Sequence, residues 1–92
     1  MSNKNPHPEH EEKFRLKDFV VFAGVQYCIS TVDLGYFCIE YPFETLVLPA
    51  QNNKITSWAE KYGIQYRTQE EAVKGHKYVC EHLAEIIMGG SK

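Results

Sequence analysis

The sequence has little net charge, no paired cysteines and no long hydrophobic run, and each absence excludes a class of protein. Ten Lys and Arg residues against twelve Asp and Glu residues leave a formal charge of −2. Nucleic-acid binders usually concentrate a basic excess on one face, so this balance argues against that class. The basic cluster of Lys13, Arg15 and Lys17 follows two glutamates and is too short for a phosphate-binding footprint.

The hydrophobic and cysteine patterns argue against secretion, a membrane span and a zinc motif. The apolar segment Phe19–Val25 is shorter than the hydrophobic part of a signal peptide and far shorter than a membrane span. The cysteines Cys28, Cys38 and Cys80 are odd in number and lack the short paired spacing of disulfide frameworks and zinc sites. We therefore expect a cytoplasmic protein with reduced cysteines, with no metal, no other cofactor and no membrane partner.

The length predicts a single domain, because 92 residues with 43% hydrophobic content supply one small core. Residues 1–13 are polar, contain two prolines, and predict a flexible N-terminal arm. The histidines His7 and His10 of this arm are interpreted as solvated. Residues 14–90 are predicted to form a single α+β domain.

Four segments rich in β-branched and aromatic residues predict strands: Phe19–Ala23, Val25–Val32, Tyr36–Tyr41 and Phe43–Leu48. The turn residues Asp33, Leu34 and Gly35 separate the second segment from the third. Farther along, Ser57–Glu60 has the spacing of a capping box with Gly63 as a stop signal, which predicts a short helical turn. A further short strand is predicted at Ile64–Arg67.

The strongest element is the last one, a C-terminal amphipathic helix of about twenty residues. Thr68 and Glu71 have capping-box spacing, and Gly89-Gly90 marks the end. One face of the helix is apolar, and the opposite face carries the charged residues. The apolar face comprises Ala72, His76, Val79, Leu83, Ile86 and Ile87. The predicted fold is therefore α+β, with a small antiparallel sheet of three to four strands packed against one long C-terminal helix.

His76 is the polar residue in the middle of this apolar face, and two interpretations apply to it. In the first, its ring is buried and hydrogen-bonded to a backbone carbonyl or a tyrosine of the sheet. In the second, it acts as a base, a ligand or a pH-sensitive contact. Cys80 lies one helical turn after it, which makes a hydrolase-like His76–Cys80 pair the best enzyme hypothesis, although no acidic partner shares the face. Gly75 is expected to allow the helix to sit close to the sheet.

The aromatic residues point to protein binding. Five Phe, six Tyr and one Trp exceed what one helix can cover on a sheet, so some are expected in an interface. The candidate interface residues are Tyr36, Tyr41, Glu44, Trp58, Tyr62 and Tyr66. A homodimer or another protein partner follows as an expectation, and no catalytic or metal-ligating residue is assigned.

Three segments resemble a family of small uncharacterised proteins encoded by bacteriophages and prophages. They are Ile29–Gly35 (ISTVDLG), Phe43–Leu48 (FETLVL) and Tyr66–Ala72 (YRTQEEA) with the following Gly75-His76. The family typically shows S-T-V-x-L-G, F-E-T-M-V-F and Y-S-T-x-E-E-A-x-x-G-H in this order. This chain departs from the pattern at Tyr36-Phe37, where the family often has Asp-His, and in the loop around Pro42.

The resemblance implies a phage or prophage origin and a place in the cytoplasm of a host bacterium, and it carries no activity with it. The leading hypothesis is an accessory protein that binds a protein, for example as a modulator or inhibitor of a host enzyme or defence complex. The alternative is a structural or assembly factor that binds another phage protein. The hydrolase-like enzyme is the third hypothesis, and our expectation is that the protein is not an enzyme.

Overall fold

A computed structural model of the chain describes residues 14–35 and 40–89. The predicted N-terminal arm lies outside the described residues, as does most of the strand predicted at Tyr36–Tyr41. Its last two residues, Glu40 and Tyr41, are described and belong to a bend.

Five strands form one antiparallel sheet: β1 (Arg15–Phe22), β2 (Val25–Asp33), β3 (Phe43–Gln51), β4 (Lys54–Ile55) and β5 (Tyr62–Tyr66). β2 lies between β1 and β3, while β4 and β5 pair with different parts of the other edge of β3. The antiparallel sheet and the α+β class are as predicted. The two-residue strand β4 was not predicted, because so short a segment has no periodicity to read.

Tight turns connect the strands. Ala23 and Gly24 both have positive φ angles, 55° and 78°, which is the pattern of a type I′ turn between β1 and β2. Asn52 and Asn53 have φ angles of 54° and 63° and connect β3 to β4 in the same way. After β2, the Gly35 amide donates to Asp33 Oδ1 over 2.8 Å, which closes the turn predicted there.

The predicted long helix is divided into α1 (Gln69–Glu81) and α2 (Leu83–Gly89), which corrects the expectation of one continuous element. The break is at His82, which has φ −118° and ψ 27°. The imidazole Nδ1 of His82 hydrogen-bonds the Tyr78 carbonyl oxygen at 3.0 Å, and its ring stacks on the Tyr78 ring at 4.1 Å. The Tyr78 carbonyl oxygen also accepts from the His82 amide over 2.9 Å, so the imidazole adds a second hydrogen bond at the end of α1.

The start of α1 is the predicted capping box. The Glu71 amide donates to Thr68 Oγ1 over 3.1 Å, and the Glu71 carboxylate accepts from the Thr68 amide over 3.4 Å. α1 then packs across β1, β2, β3 and β5. Residues of the helices and of the facing side of the sheet form the main core: Tyr27, Ile29, Val47, Val79 and Leu83.

The segment that joins β4 to β5 is a loop, which corrects the prediction of a helical turn at Ser57–Glu60. Ser57 Oγ accepts from the Ala59 amide over 3.1 Å, so the serine closes a local turn and starts no helix. Gly63 lies inside β5 and is no helix stop. The described residues contain no helix long and apolar enough to cross a membrane.

Candidate functional site

His76 lies at the centre of a hydrogen-bond network between α1 and the sheet. Its side chain is buried, and both ring nitrogens have partners. The Nδ1 atom lies 2.7 Å from Thr31 Oγ1 on β2, and the Nε2 atom lies 2.7 Å from Asp18 Oδ2 on β1. The sequence-based interpretation expected a backbone carbonyl or a tyrosine, whereas the partners are a hydroxyl and a carboxylate.

The network continues from Thr31 across the sheet. Thr31 Oγ1 lies 2.5 Å from Thr45 Oγ1, which accepts a hydrogen bond of 3.0 Å from the Tyr66 hydroxyl. Thr31 and Thr45 are paired residues of β2 and β3 and are fully buried. We call the set Asp18, Thr31, Thr45, Tyr66 and His76 the His76 network.

The donor directions in the network are consistent along its length. Since the Tyr66 hydroxyl donates to Thr45, the Thr45 hydroxyl can donate to Thr31, and the Thr31 hydroxyl can donate to Nδ1 of His76. The imidazole then carries its hydrogen on Nε2 and donates it to the Asp18 carboxylate. Each buried side chain of the His76 network has a hydrogen-bond partner, so the network stabilises one arrangement of α1 on the sheet.

Cys80 lies close to the Asp18 carboxylate and forms a three-residue cluster with Asp18 and His76. Cys80 Sγ lies 3.9 Å from Asp18 Oδ2, and the ligand atoms of Asp18, His76 and Cys80 all lie within 4.8 Å of one another. His76 is buried, Cys80 is half-buried and the Asp18 side chain is 60% exposed. The cluster therefore opens to the surface on the side of Asp18.

The pKa of the Cys80 thiol is shifted in the opposite direction to that of a catalytic cysteine. Burial raises its pKa to about 11, and the negative charges of Asp18 and Glu81 and the hydrogen bond to Asp18 act in the same direction. Nucleophilic cysteines have a lowered pKa, because the thiolate is the reactive form. The Asp18–His76–Cys80 arrangement thus does not activate the thiol, and the fully buried Thr31 hydroxyl has no access to a substrate.

The absence of a side chain at Gly75 leaves space for the Tyr66 ring of the His76 network. A Cβ atom at this position would lie well inside van der Waals contact distance of the Cε1, Cζ and hydroxyl oxygen atoms of Tyr66. The aromatic ring occupies the space that a side chain would fill, so its hydroxyl reaches Thr45 beneath the helix. The close approach of the helix to the sheet is thus a contact between a glycine and a tyrosine.

The predicted interface residues are placed in different environments. Tyr36 lies outside the described residues, and Tyr66 is buried in the His76 network with no surface to offer a partner. Tyr62 is half-buried and packs against the main core. The Tyr41 ring lies under the Arg67 guanidinium at 5.1 Å, and the Tyr41 hydroxyl accepts from Arg67 Nη2 over 3.3 Å.

Trp58 is 74% exposed on the loop between β4 and β5. The two ends of this loop are fixed to β3, because the Thr56 amide donates to the Pro49 carbonyl over 3.0 Å and the Lys61 amide donates to the Val47 carbonyl over 2.8 Å. The indole is therefore presented on a short loop that is tied to the sheet at each end.

Two acidic side chains lie close to this loop. Burial raises the pKa of Glu44, and the negative charge of Glu60 raises it further. Glu60 and Leu46 flank Gly63, since both lie within 3.1 Å of where a Cβ of Gly63 would be. Glu60 follows Trp58 by two residues on the same loop, and on this basis we call the set Glu44, Leu46, Trp58 and Glu60 the Trp58 surface.

The titration of Tyr66 gives a first prediction. Burial raises the pKa of its hydroxyl above the usual value, the hydrogen bond to Thr45 opposes this, and Tyr62 adds to it. The stabilisation from the neutral phenol is fully present below the unfolded-state pKa of about 10 and is lost as the pH rises through the higher folded-state pKa. We expect the wild type to lose stability more steeply than Tyr66→Phe above about pH 10.

Urea unfolding of both proteins at a series of alkaline pH values measures this difference. Cys80 titrates in both proteins, so its contribution cancels in the comparison. Parallel stability curves would show that the Tyr66 hydroxyl titrates as it does in the unfolded chain.

Sequence reasoning missed Asp18, Thr31 and Thr45. His76 stood out because a polar residue interrupted an apolar helix face, and Cys80 followed at i+4. Asp18 is 58 residues from His76, and Thr31 is 45 residues from it. The signal that could have found them is the alternation of the strands, which places Asp18 and Thr31 on one face once the register of β1 and β2 is known.

Comparison with known proteins found no relative of this chain. No family model, no curated protein and no solved structure matches the chain. The fold, the His76 network with Cys80, and the Trp58 surface therefore carry the functional argument.

Proposed function

We propose that this chain is a protein-binding module whose contact with its partner is centred on the Trp58 surface. The observation that carries the proposal is the 74% exposure of Trp58 on a loop fixed at both ends. Tryptophan is enriched among the residues that dominate protein interfaces, since it buries a large area with few rotatable bonds. A fixed loop lowers the ordering cost of binding further.

The charges of the Trp58 surface indicate the chemistry of the partner. Glu44 and Glu60 are close enough for the charge of one to disfavour ionisation of the other. A lysine or arginine of a partner would relieve this repulsion. The partner is therefore a protein surface with an apolar pocket for the indole and a basic side chain beside it, and binding weakens as salt rises.

The resemblance to phage and prophage proteins directs the search for the partner to the cytoplasm of a bacterial host. A host enzyme or a defence complex is the first candidate, with the chain acting as its modulator. A phage structural or assembly protein is the alternative. The raised pKa of Cys80 supports a binding role over a hydrolase that uses a His76–Cys80 pair.

The experiment compares three baits in a bacterial lysate: the wild type, Trp58→Ala and Tyr78→Ala. Tyr78 is the matched control, because it is an aromatic residue 53% exposed on α1. We expect a protein that the wild type and Tyr78→Ala retain and that Trp58→Ala releases, with an affinity loss of about 30-fold or more.

The chain contains one tryptophan, so the emission of Trp58 reports binding of the purified partner directly. A blue shift on titration, reduced by Glu44→Gln with Glu60→Gln, supports the assigned surface. An identical set of proteins on the wild type and Trp58→Ala, or no protein on either, contradicts the proposal.

A further inference from the structure

Three side chains of different chemistry, those of Asp18, His76 and Cys80, converge at one end of the His76 network. His76 and Cys80 are four residues apart on α1, so they lie on the same face one turn apart. Asp18 comes from β1 and points to the same side of the sheet as Thr31 and the helix. The His76 Nε2, Cys80 Sγ and Asp18 carboxylate oxygen atoms all lie within 4.8 Å of one another.

The His76 ring is held by a hydrogen bond at one nitrogen, as the ring of a metal-ligating histidine typically is. A histidine ligand typically has its second ring nitrogen hydrogen-bonded to a protein group, which fixes the ring orientation and the tautomer. Here Nδ1 lies 2.7 Å from Thr31 Oγ1, and the side chain is only 6% exposed. The ring therefore directs Nε2 toward Asp18 and the open side of the cluster.

We propose that Asp18, His76 and Cys80 bind one zinc ion, with a fourth position open to water on the exposed side of Asp18. Imidazole nitrogen, thiolate sulfur and carboxylate oxygen are the donors that zinc takes in proteins, and the sulfur disfavours magnesium and calcium. Three protein ligands with one open position is an established zinc arrangement. The negative charges of Asp18 and Glu81 near Cys80 favour a cation there.

The cluster reaches zinc geometry through movement of the Asp18 and Cys80 side chains. Tetrahedral zinc with bonds of about 2.0–2.3 Å places its ligand atoms about 3.3–3.6 Å apart. The observed separations are 2.7 Å from Asp18 Oδ2 to His76 Nε2 and 3.9 Å from Asp18 Oδ2 to Cys80 Sγ. The 60% exposed Asp18 side chain can move away from Nε2, and the half-buried Cys80 side chain can close the remaining distance to His76, which is at most 4.8 Å, while His76 stays in place.

The contacts among His76, Thr31, Thr45 and Tyr66 persist when the metal binds, but the Thr45 hydroxyl hydrogen loses Thr31 as its acceptor. When zinc occupies Nε2, the imidazole hydrogen lies on Nδ1 and is donated to Thr31 Oγ1. The Thr31 hydroxyl then donates to Thr45 Oγ1, which continues to accept from Tyr66. The hydrogen bond of Asp18 to His76 is replaced by the bonds of both residues to the metal.

Cobalt(II) substitution tests the site, because a thiolate bound to cobalt gives a charge-transfer absorption in the near ultraviolet. The full chain, freed of metal with a chelator, is titrated with Co²⁺ and then with Zn²⁺. We expect the thiolate band to saturate at one Co²⁺ per chain and to disappear as Zn²⁺ displaces the cobalt. Cys80→Ser removes the band, and Asp18→Asn weakens metal affinity by about tenfold or more.

Two control variants separate this site from other donors of the chain. Cys38→Ser must keep the band, and the double variant His7→Ala/His10→Ala must keep both the band and the affinity. Asp18→Asn changes an exposed side chain, so it tests the site even if Cys80→Ser fails to fold.

Three outcomes overturn the proposal. They are the absence of a thiolate band with excess Co²⁺, a band that survives Cys80→Ser in a folded protein, and an affinity that Asp18→Asn leaves unchanged. The test is independent of the Trp58 surface, since it involves neither partner binding nor any residue of that surface.

Discussion

Replacement of Gly75 by alanine is expected to lower the free energy of unfolding by about 2–3 kcal/mol, since the added methyl group overpacks a filled site. The new Cβ would overlap the ring of Tyr66, which is buried beneath α1 and bonded to Thr45. Either the ring must turn away from Thr45 or the helix must rise from the sheet. Helix propensity alone predicts the opposite sign, a gain of about 1 kcal/mol for alanine over glycine.

The matched control is Gly89→Ala, because Gly89 is the last residue of α2 and a Cβ there meets no atom within 4 Å. We expect Gly89→Ala to leave the midpoint of urea unfolding unchanged or slightly raised. In a Tyr66→Ala background, the cost of Gly75→Ala should disappear, because the colliding ring is gone. A Gly75→Ala protein as stable as the wild type would show that the ring is not confined under the helix.

The second large effect is expected for Thr31→Val, which removes one buried hydroxyl and keeps the shape of the side chain. Thr31 Oγ1 bonds both His76 Nδ1 and Thr45 Oγ1, so its loss leaves the buried Nδ1 without a partner. Thr45 keeps the hydrogen bond that it accepts from Tyr66 but loses Thr31 as the acceptor for its own hydroxyl hydrogen. Leaving a buried polar group unsatisfied costs about 1–3 kcal/mol. We expect a loss of unfolding free energy in this range, measured by urea unfolding.

Thr56→Val makes the same chemical change at an exposed position and should alter stability by less than about 0.5 kcal/mol. Asp18→Asn should also have a small effect on stability, because the 60% exposed carboxylate is replaced by an amide that water solvates. If Thr31→Val lowered the free energy of unfolding as little as Thr56→Val, the His76 network would contribute little to the stability of the fold.

The local elements were the part of the fold that the sequence predicted well. The start of α1 follows from Thr68 and Glu71, whose hydrogen bonds involve residues three positions apart. The strand segments follow from β-branched and aromatic runs, and the turn at Asp33–Gly35 follows from residues that bond their own backbone. Such features form between near neighbours, so a short window of sequence contains all the atoms involved.

The sequence-based predictions were wrong at two positions where the conformation of one residue decides between two local structures. His82 lies in an apolar-periodic stretch that predicts one helix, yet its backbone is non-helical and α1 ends before it. Ser57 has the spacing of a helix cap, yet its hydroxyl closes a turn in a loop fixed to β3. In both cases the backbone conformation around a single residue decides the outcome, and the spacing of residue types does not specify that conformation.

By itself, the sequence determined the α+β class, the capped start of the amphipathic helix and the presence of a histidine in the apolar face of that helix. The tertiary structure decided what that histidine does, because its partners Asp18 and Thr31 lie 58 and 45 residues away. Antiparallel register places Asp18 of β1 and Thr31 of β2 on the face that α1 covers, and a shift of β1 by one residue against β2 would turn Asp18 to the other face. The same register brings Asp18 to Cys80, and so the proposed zinc site depends on strand pairing that no short motif encodes.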